Sequence, residues 1–235
     1  MSAGDATTLH VLRVFCGEDE RGGNQLGVFL DGPAIAADSR QPIAHELGFA
    51  ETVFVDDRER AKLRIFTPAV ELPLAGHPLV GTAWLLRHEG TQAEVLRPPA
   101  GEVAVRFEGE LVFVAADPEW APPFEFIELG APADVDALTG PPDGHGIVAI
   151  WSWIDDSEGT IRARVFFPDA GIAEDEATGS AAMRLCAQIG RPIQIRQGPA
   201  AGSLIYAQPL DDGRAEIGGV VVLEQTRSVG TGPGR

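Results

Sequence analysis

The chain contains 235 residues, of which 35 are acidic and 18 are basic, so its formal net charge is −17 at pH 7. This charge disfavours nucleic acid and anionic membrane surfaces as partners, because both are bound through clustered Lys and Arg. No apolar run is long enough to cross a membrane and the first residues lack a signal-peptide pattern, so we expect a cytoplasmic protein.

Short strands separated by turns are predicted in the first half of the chain. A helix is predicted to begin after Asp38 or Ser39 and to end at Gly48, because Gly commonly follows the last helical turn. Residues 79–87 are almost wholly apolar, which predicts a second helix buried inside a domain. Alternation of apolar and polar residues places the strands at 9–15, 25–30, 51–55 and 63–66.

The second half shows the same arrangement, with strands around an apolar helix predicted over 180–187. Its strands are predicted at 102–107, 111–115, 147–154, 161–167, 193–196, 203–207 and 216–222.

Proline-rich segments suggest where the chain divides. Residues 118–123 mark a domain junction, and 132–146 are typical of an exposed loop. We therefore predict two domains, over 1–115 and 116–227, followed by a flexible tail over 228–235.

A weak internal repeat supports this division. Arg-Ile-Phe-Thr-Pro at 64–68 recurs as Arg-Val-Phe-Phe-Pro at 164–168, and a Gly-containing step into an apolar helix follows each copy. Two such units would pack face to face and aim both helix N-termini at the cleft between them. Because helix N-termini offer free N–H groups and a partial positive charge, the cleft would suit a carboxylate.

Glu51 is the first candidate for chemistry in that cleft. It opens an otherwise apolar strand, and apolar surroundings raise the pKa of a carboxyl group. Such a group can remove a proton from carbon and then return it. The alternative is a carboxylate at a strand edge, in water.

Two further candidates precede the apolar helices. His77 lies between Gly76 and Pro78, where a neutral imidazole could donate to a substrate, or simply occupy a loop. Asp175 lies in the acidic run 174–176, and its alternative role is to complement a helix dipole. Three adjacent carboxylates repel one another unless a cationic group is present, and an amino group on the substrate would serve.

No cofactor or metal is expected from the remaining motifs. Glycine-rich nucleotide loops and the nucleophile elbow of serine hydrolases are absent, and the other histidines lack metal-binding spacing. The two cysteines, Cys16 and Cys186, fit neither a disulfide framework nor a metal site, so we expect both to be buried.

Four sequence blocks resemble, in order, the signature blocks of the phenazine-biosynthesis PhzF family. The blocks cover residues 23–29, 51–54, 64–83 and 174–181. The resemblance implies an α+β fold like that of diaminopimelate epimerase. In that fold two pseudo-symmetric α/β domains each wrap a curved, mostly antiparallel sheet round a central apolar helix, and the active site lies between them.

The resemblance also implies a function. It indicates a homodimeric, cofactor-independent isomerase that moves a proton and a double bond in a small unsaturated carboxylate, in bacterial antibiotic or phenazine-like biosynthesis. By motif, Glu51 matches the general acid/base, and His77 and Asp175 match residues that orient the substrate. The residues matched to substrate binding are Gly76, Gly179, Ser180 and Asn24.

Two other functions fit the same fold. One is a two-base epimerase that uses Glu51 and Asp175, and the other is a carboxylate-binding relative without activity. A racemase with two thiols is disfavoured, because the places that correspond to those thiols hold Ala75 and Asp175.

The chain departs from the family pattern near the site. Glu176 stands where Pro is usual, and Gln25 stands where Pro is commoner. After the Gln-Gly pair, Gly202-Ser203 replaces the usual Gly-Arg. The extra negative charge of Glu176 is expected to alter the pKa of Asp175 or to favour a more cationic substrate, and loss of the arginine to change substrate contacts.

Overall fold

The computed structural model describes residues 6–17, 19–168 and 172–230. Within these residues the chain forms four α-helices: α1 (Ala37–Leu47), α2 (Gly76–His88), α3 (Pro132–Asp136) and α4 (Gly179–Ile189). The strands are β1 (Ala6–Cys16), β2 (Asn24–Phe29), β3 (Glu51–Asp57), β4 (Lys62–Phe66), β5 (Glu71–Leu72), β6 (Val95–Leu96), β7 (Val103–Glu108), β8 (Leu111–Ala116), β9 (Glu125–Glu128), β10 (Val148–Asp155), β11 (Thr160–Phe167), β12 (Ile172–Asp175), β13 (Ile193–Gln197), β14 (Ser203–Pro209) and β15 (Ala215–Gly230).

These strands form one hydrogen-bonded network. Its main order is β5-β4-β3-β2-β1-β15-β14-β13-β11-β10-β9, and β8 pairs with β15 away from this path. Most of the pairs are antiparallel, and the helices pack on the sheet, so the predicted α+β class is confirmed. Because β1 and β15 join the two halves, the sheet does not separate into two independent parts, and the domain boundaries stay a prediction.

The internal repeat is visible in the strand pairing. In the first half, β3 runs parallel to β2 and antiparallel to β4, and β4 pairs with β5 before α2 begins. In the second half, β10 runs parallel to β9 and antiparallel to β11, and β11 pairs with β12 before α4 begins. The same pattern of four strands and a helix is therefore built twice.

Each copy of the repeat carries the same ion pair. Arg64 on β4 pairs with Glu71 on β5. In the second copy, Arg164 Nε lies 2.8 Å from Glu174 Oε1. Arg164 thus already provides a positive charge beside Glu174. Repulsion within the acidic run 174–176 therefore does not require a substrate amino group beside Glu174.

The two apolar helices meet at their N-termini, as the repeat predicted. A Cβ atom on Gly76, the first residue of α2, would lie 3.0 Å from Cα of Gly179, the first residue of α4. The residues that precede the helices are Ala75 and Thr178, so Thr178, and not Asp175, is the positional counterpart of Ala75. Neither position carries a thiol.

Burial explains why α2 is so apolar. All of its residues are buried except Trp84, Arg87 and His88. Across residues 6–17, 19–168 and 172–230, none of the helices is both long enough and apolar enough to span a membrane.

The structure corrects two predictions made from the sequence, the loop at 132–146 and the tail at 228–235. The predicted loop 132–146 contains α3. The last strand extends to Gly230, so residues 228–230 belong to regular structure and not to a tail. Residues 231–235, the rest of the predicted tail, lie outside the described residues.

Replacing Gly76 with Ala is expected to lower the free energy of unfolding by about 1 to 3 kcal/mol, the usual cost of over-packing. The new Cβ would lie only 2.7 Å from Ile217 Cδ1. Gly140 has open space around its Cα, so Gly140→Ala is the matched control and should change stability by less than about 0.5 kcal/mol. Urea denaturation measures both. Equal stabilities for the two variants would contradict the close approach of the helices.

Candidate active site

The carboxyl group of Glu51 lies in an almost dry environment. Glu51 begins β3 beside Leu26 of β2, and the alternate residues Val53 and Val55 belong to the core packed against α2. Strand alternation therefore directs Glu51 towards the same helix. Its side chain is only 15% exposed, so the alternative of a carboxylate in water is wrong.

His77 faces Glu51 from the first turn of α2. Its side chain is 5% exposed, and its Nε2 atom lies 3.0 Å from Glu51 Oε2. Despite this short distance, neither atom makes a well-aligned hydrogen bond with a described residue. Both polar atoms are therefore buried side by side without a well-aligned hydrogen bond to a described residue.

The two groups are uncharged at neutral pH. Burial, with a smaller contribution from the charge of Asp175, raises the pKa of Glu51 to about 8. Burial lowers the pKa of His77 to about 3, against the opposing effect of a hydrogen bond with the backbone of Gln25. A carboxylic acid beside a neutral imidazole, and not an ion pair, is the form that such a dry site favours.

Asp175, at the end of β12, has a different environment. Asn24 Nδ2 donates to its Oδ1 over 2.6 Å, and Thr178 Oγ1 donates to its Oδ2 over 2.6 Å. Burial raises the pKa of Asp175 to about 6, and these two donors hold it below what burial alone would produce. Asp175 is therefore mostly ionised at pH 7, whereas Glu51 is mostly protonated.

A buried amide that the sequence analysis missed supports Asp175. Gln197 is 1% exposed, and its Nε2 donates to Thr178 Oγ1 over 2.8 Å and to the backbone oxygen of Asp175 over 3.0 Å. Since the single hydroxyl hydrogen of Thr178 goes to Asp175, the hydroxyl must accept from Gln197. No sequence pattern identified this relay, because its members are separated along the chain.

The four residues matched to substrate binding lie at the starts of α2, α4 and β2. Gly76 and Gly179 open α2 and α4, where helical N–H groups lack partners within the helix. Asn24 is buried and also donates to Ala177 O over 3.3 Å. Ser180 is half-buried in the first turn of α4 and does not contact Glu51, His77 or Asp175 through a hydrogen bond. Their contacts with substrate remain predictions.

One opening at the surface is lined by residues from both halves of the chain. A cavity of about 640 Å³ is lined by Gly22 and Gly202, which precede Gly23 and Ser203. Arg196 also lines it, exposed and without an ion-pair partner among residues 6–17, 19–168 and 172–230. The cavity lies at a seam between the two halves of the chain.

Neither cysteine is exposed, and the described residues contain no cluster that could hold a metal ion. Cys16 and Cys186 are buried as predicted, and burial raises the pKa of their thiols to about 11 and about 12. Within the part of the chain that the structure describes, no group of three or more His, Cys, Asp or Glu residues is placed to hold a metal ion.

Comparisons with known proteins agree with the fold and the sequence blocks. Residues 13–117 match the profile of the PhzC-PhzF family, described as phenazine biosynthesis-like protein. The chain is 31% identical to trans-2,3-dihydro-3-hydroxyanthranilate isomerase of Pseudomonas chlororaphis over 243 residues, an alignment that covers 83% of this chain and 87% of that enzyme.

Solved structures support the fold. A PhzF-family phenazine biosynthesis protein of Bacillus anthracis superposes with a TM-score of 0.78 at 18% identity, over 96% of this chain and 99% of that one. A hydroxyproline epimerase of Agrobacterium vitis superposes with a TM-score of 0.62 at 14% identity, over 97% of this chain and 94% of that one. At such identities the likeness concerns the fold alone.

Stability should depend on pH through Glu51. Its ordinary pKa is 4.5, so between about pH 5 and pH 8 the native state keeps a proton that the unfolded chain has lost. Stability of the wild-type chain therefore falls relative to Glu51→Gln over that range, with a limiting slope of about 1.4 kcal/mol per pH unit, and levels off above it. Urea denaturation at several pH values measures the difference.

The matched control for this measurement is Glu110→Gln, because Glu110 is exposed in the turn between β7 and β8. Its stability difference from wild type should not change with pH over the same range. A Glu51→Gln difference that is equally constant would contradict the burial of the carboxyl group.

Proposed function

Because this chain belongs to the PhzF-type family of isomerases, we propose that it moves a proton and a double bond within a small unsaturated carboxylic acid, without a cofactor. The observation that carries the proposal is Glu51, a buried carboxyl group with a pKa of about 8, whose Oε2 makes no well-aligned hydrogen bond with a described residue. A group that titrates close to neutral pH can both take and return a proton.

In the proposed reaction Glu51 acts as a shuttle. Its ionised form removes a proton from an sp³ carbon next to the double bond, and the electron pair of that C–H bond forms a new double bond. The π electrons of the original double bond then take the proton back from Glu51 at the far carbon. Glu51 ends as it began, so no oxidant, reductant or second base is required.

Other groups would hold the substrate for this transfer. The open N–H groups at the starts of α2 and α4 suit the substrate carboxylate. Neutral His77, 3.0 Å from Glu51, can hydrogen-bond a substrate oxygen or nitrogen next to the reacting carbons. Ionised Asp175 suits a cationic group such as an ammonium.

A two-base epimerisation is the second candidate, and one observation favours it. The charge of Asp175 raises the pKa of Glu51, so the two buried carboxyl groups interact electrostatically. An epimerase would invert one carbon and leave the double bonds in place. Proton NMR of the product distinguishes inversion from double-bond migration. Ligand binding with neither outcome would instead indicate a carboxylate-binding relative.

The setting of the reaction is also a proposal. We expect a cytoplasmic homodimer that serves bacterial secondary-metabolite biosynthesis, on the strength of the family relationship. Sedimentation velocity tests the dimer directly, since a single chain has a mass of 24.9 kDa.

Glu51→Gln should abolish exchange of the transferred proton. The amide keeps the shape of the side chain but cannot carry a proton, so exchange should fall by at least about 100-fold. The measurement is deuterium incorporation into trans-2,3-dihydro-3-hydroxyanthranilate in heavy water, followed by NMR. Glu110→Gln is the control and should exchange like wild type. Undiminished exchange by a folded Glu51→Gln protein would exclude Glu51 as the base.

The pH dependence of kcat/KM should follow both carboxyl groups. If ionised Asp175 binds the substrate and ionised Glu51 removes the proton, kcat/KM rises with pH through about 6 and continues to rise to about 8. Asp175→Asn should lose the lower inflection. Steady-state kinetics from pH 5 to 9 provides the profile. A fall between pH 6 and 8 would mean that protonated Glu51 starts the reaction.

A further inference from the structure

Glu176 and Ser203 come from distant parts of the sequence and are in contact in the structure. The Ser203 hydroxyl donates to Glu176 Oε1 over 2.8 Å, although the two residues are 27 positions apart. They therefore form one local unit next to Asp175.

Ser203 is held in one orientation from the other half of the chain. It is fully buried, and the backbone N–H of Gly23 donates to its Oγ over 2.8 Å. With this donor in place, the single hydroxyl hydrogen is free to go to Glu176. A hydroxyl that donates to a carboxylate favours its ionised form.

The backbone beside Glu176 leaves room for its carboxyl group. A Cβ atom on Gly198 would lie 2.5 Å from Glu176 Oε1, so the carboxyl occupies the space that a side chain would fill. Arg162 Nη2 donates to the oxygen of this same glycine over 2.7 Å. Burial raises the pKa of Glu176, and Glu174 adds to this, whereas Ser203 and Arg162 lower it.

We infer that Glu176, fixed by Ser203, shifts the pH range over which Asp175 is ionised. The negative charge of Glu176 acts on Asp175 from the adjacent position, in surroundings too dry to screen it fully. The donors that oppose it are the side chains of Asn24 and Thr178 and the backbone N–H of Glu176. Glu51 of β3 is the other titratable group coupled to Asp175 among the described residues, and it is mostly protonated at neutral pH. This inference rests on the proposed role of Asp175 in binding a cationic group.

The charges of Asp175 and Glu176 would also affect which class of substrate binds. When both are ionised, Asp175 and Glu176 place two negative charges at one end of the site, which favours an amino-bearing carboxylate over a neutral analogue. A residue without charge at position 176 would weaken that preference. Glu176 would thus act through Asp175 as a tuning residue, without contact with the reacting carbons.

The test is the titration of Asp175 itself, observed by NMR of protein labelled with ¹³C at aspartate side-chain carboxyl carbons. Asp175→Asn assigns the signal. Three variants are compared with wild type: Glu176→Gln removes the charge, Glu176→Asp keeps it, and Glu110→Gln removes an exposed charge elsewhere. If Glu176→Gln does not fold, Glu176→Met replaces it.

The titration midpoint of Asp175 should fall by about 0.5 to 1 pH unit in Glu176→Gln, which is the size of a partly screened like-charge interaction. It should stay closer to the wild-type value in Glu176→Asp and be unchanged in Glu110→Gln. An unchanged midpoint in folded Glu176→Gln would overturn the inference, as would an equal fall in Glu176→Asp.

This measurement needs no turnover, so it separates the inference from the proposed function. If the midpoint moves but the acid limb of kcat/KM does not, the charge coupling stands and the proposed role of Asp175 fails. Ser203→Ala adds a test of the geometry, because loss of its hydroxyl should raise the titration midpoint of ¹³C-labelled Glu176. No rise in that variant would contradict the role assigned to Ser203.

Discussion

Exclusion of water from Glu51 and His77 is the constraint on which the candidate site depends. In water the first would be a carboxylate and the second would titrate close to pH 6.5, whereas burial keeps both neutral. A carboxyl group that holds its proton near neutral pH is suited to reversible transfer to carbon. The same burial would be unfavourable for a charged pair, which is why the 3.0 Å contact is not an ion pair.

The two copies of the repeat bury this site, and each copy contributes different residues to it. Backbone contact between Gly76 and Gly179 closes the space between the helix starts. The first copy contributes Glu51 and His77, a neutral couple, while the second contributes Asp175, which is held ionised by two donors. The symmetric repeat thus builds an asymmetric candidate site, with a neutral couple on one side and an ionised carboxylate on the other.

Much of the fold and the apolar surroundings of Glu51 could be predicted from local patterns. The apolar run at 79–87 predicted a buried helix, and a single acidic residue at the head of an apolar strand identified Glu51. The burial of Gln197 and Ser203 could not be predicted in this way. Polar side chains are usually exposed, and the partners of these two come from distant parts of the sequence. Residues 228–230 looked like a tail since their strand character depends on pairing with β1.

That last pairing has a consequence for how the chain folds during synthesis. Strand β15 pairs with β1 from Ala6–Gly230 to Cys16–Val220 and with β8 from Ala116–Ala215 to Val112–Gly219. The first-half strands therefore lack a central neighbour until β15 has been synthesised. Such non-local pairing is slow and leaves strand edges open in the meantime. The sheet can therefore close only after β15 has left the ribosome, and not when the first half is complete.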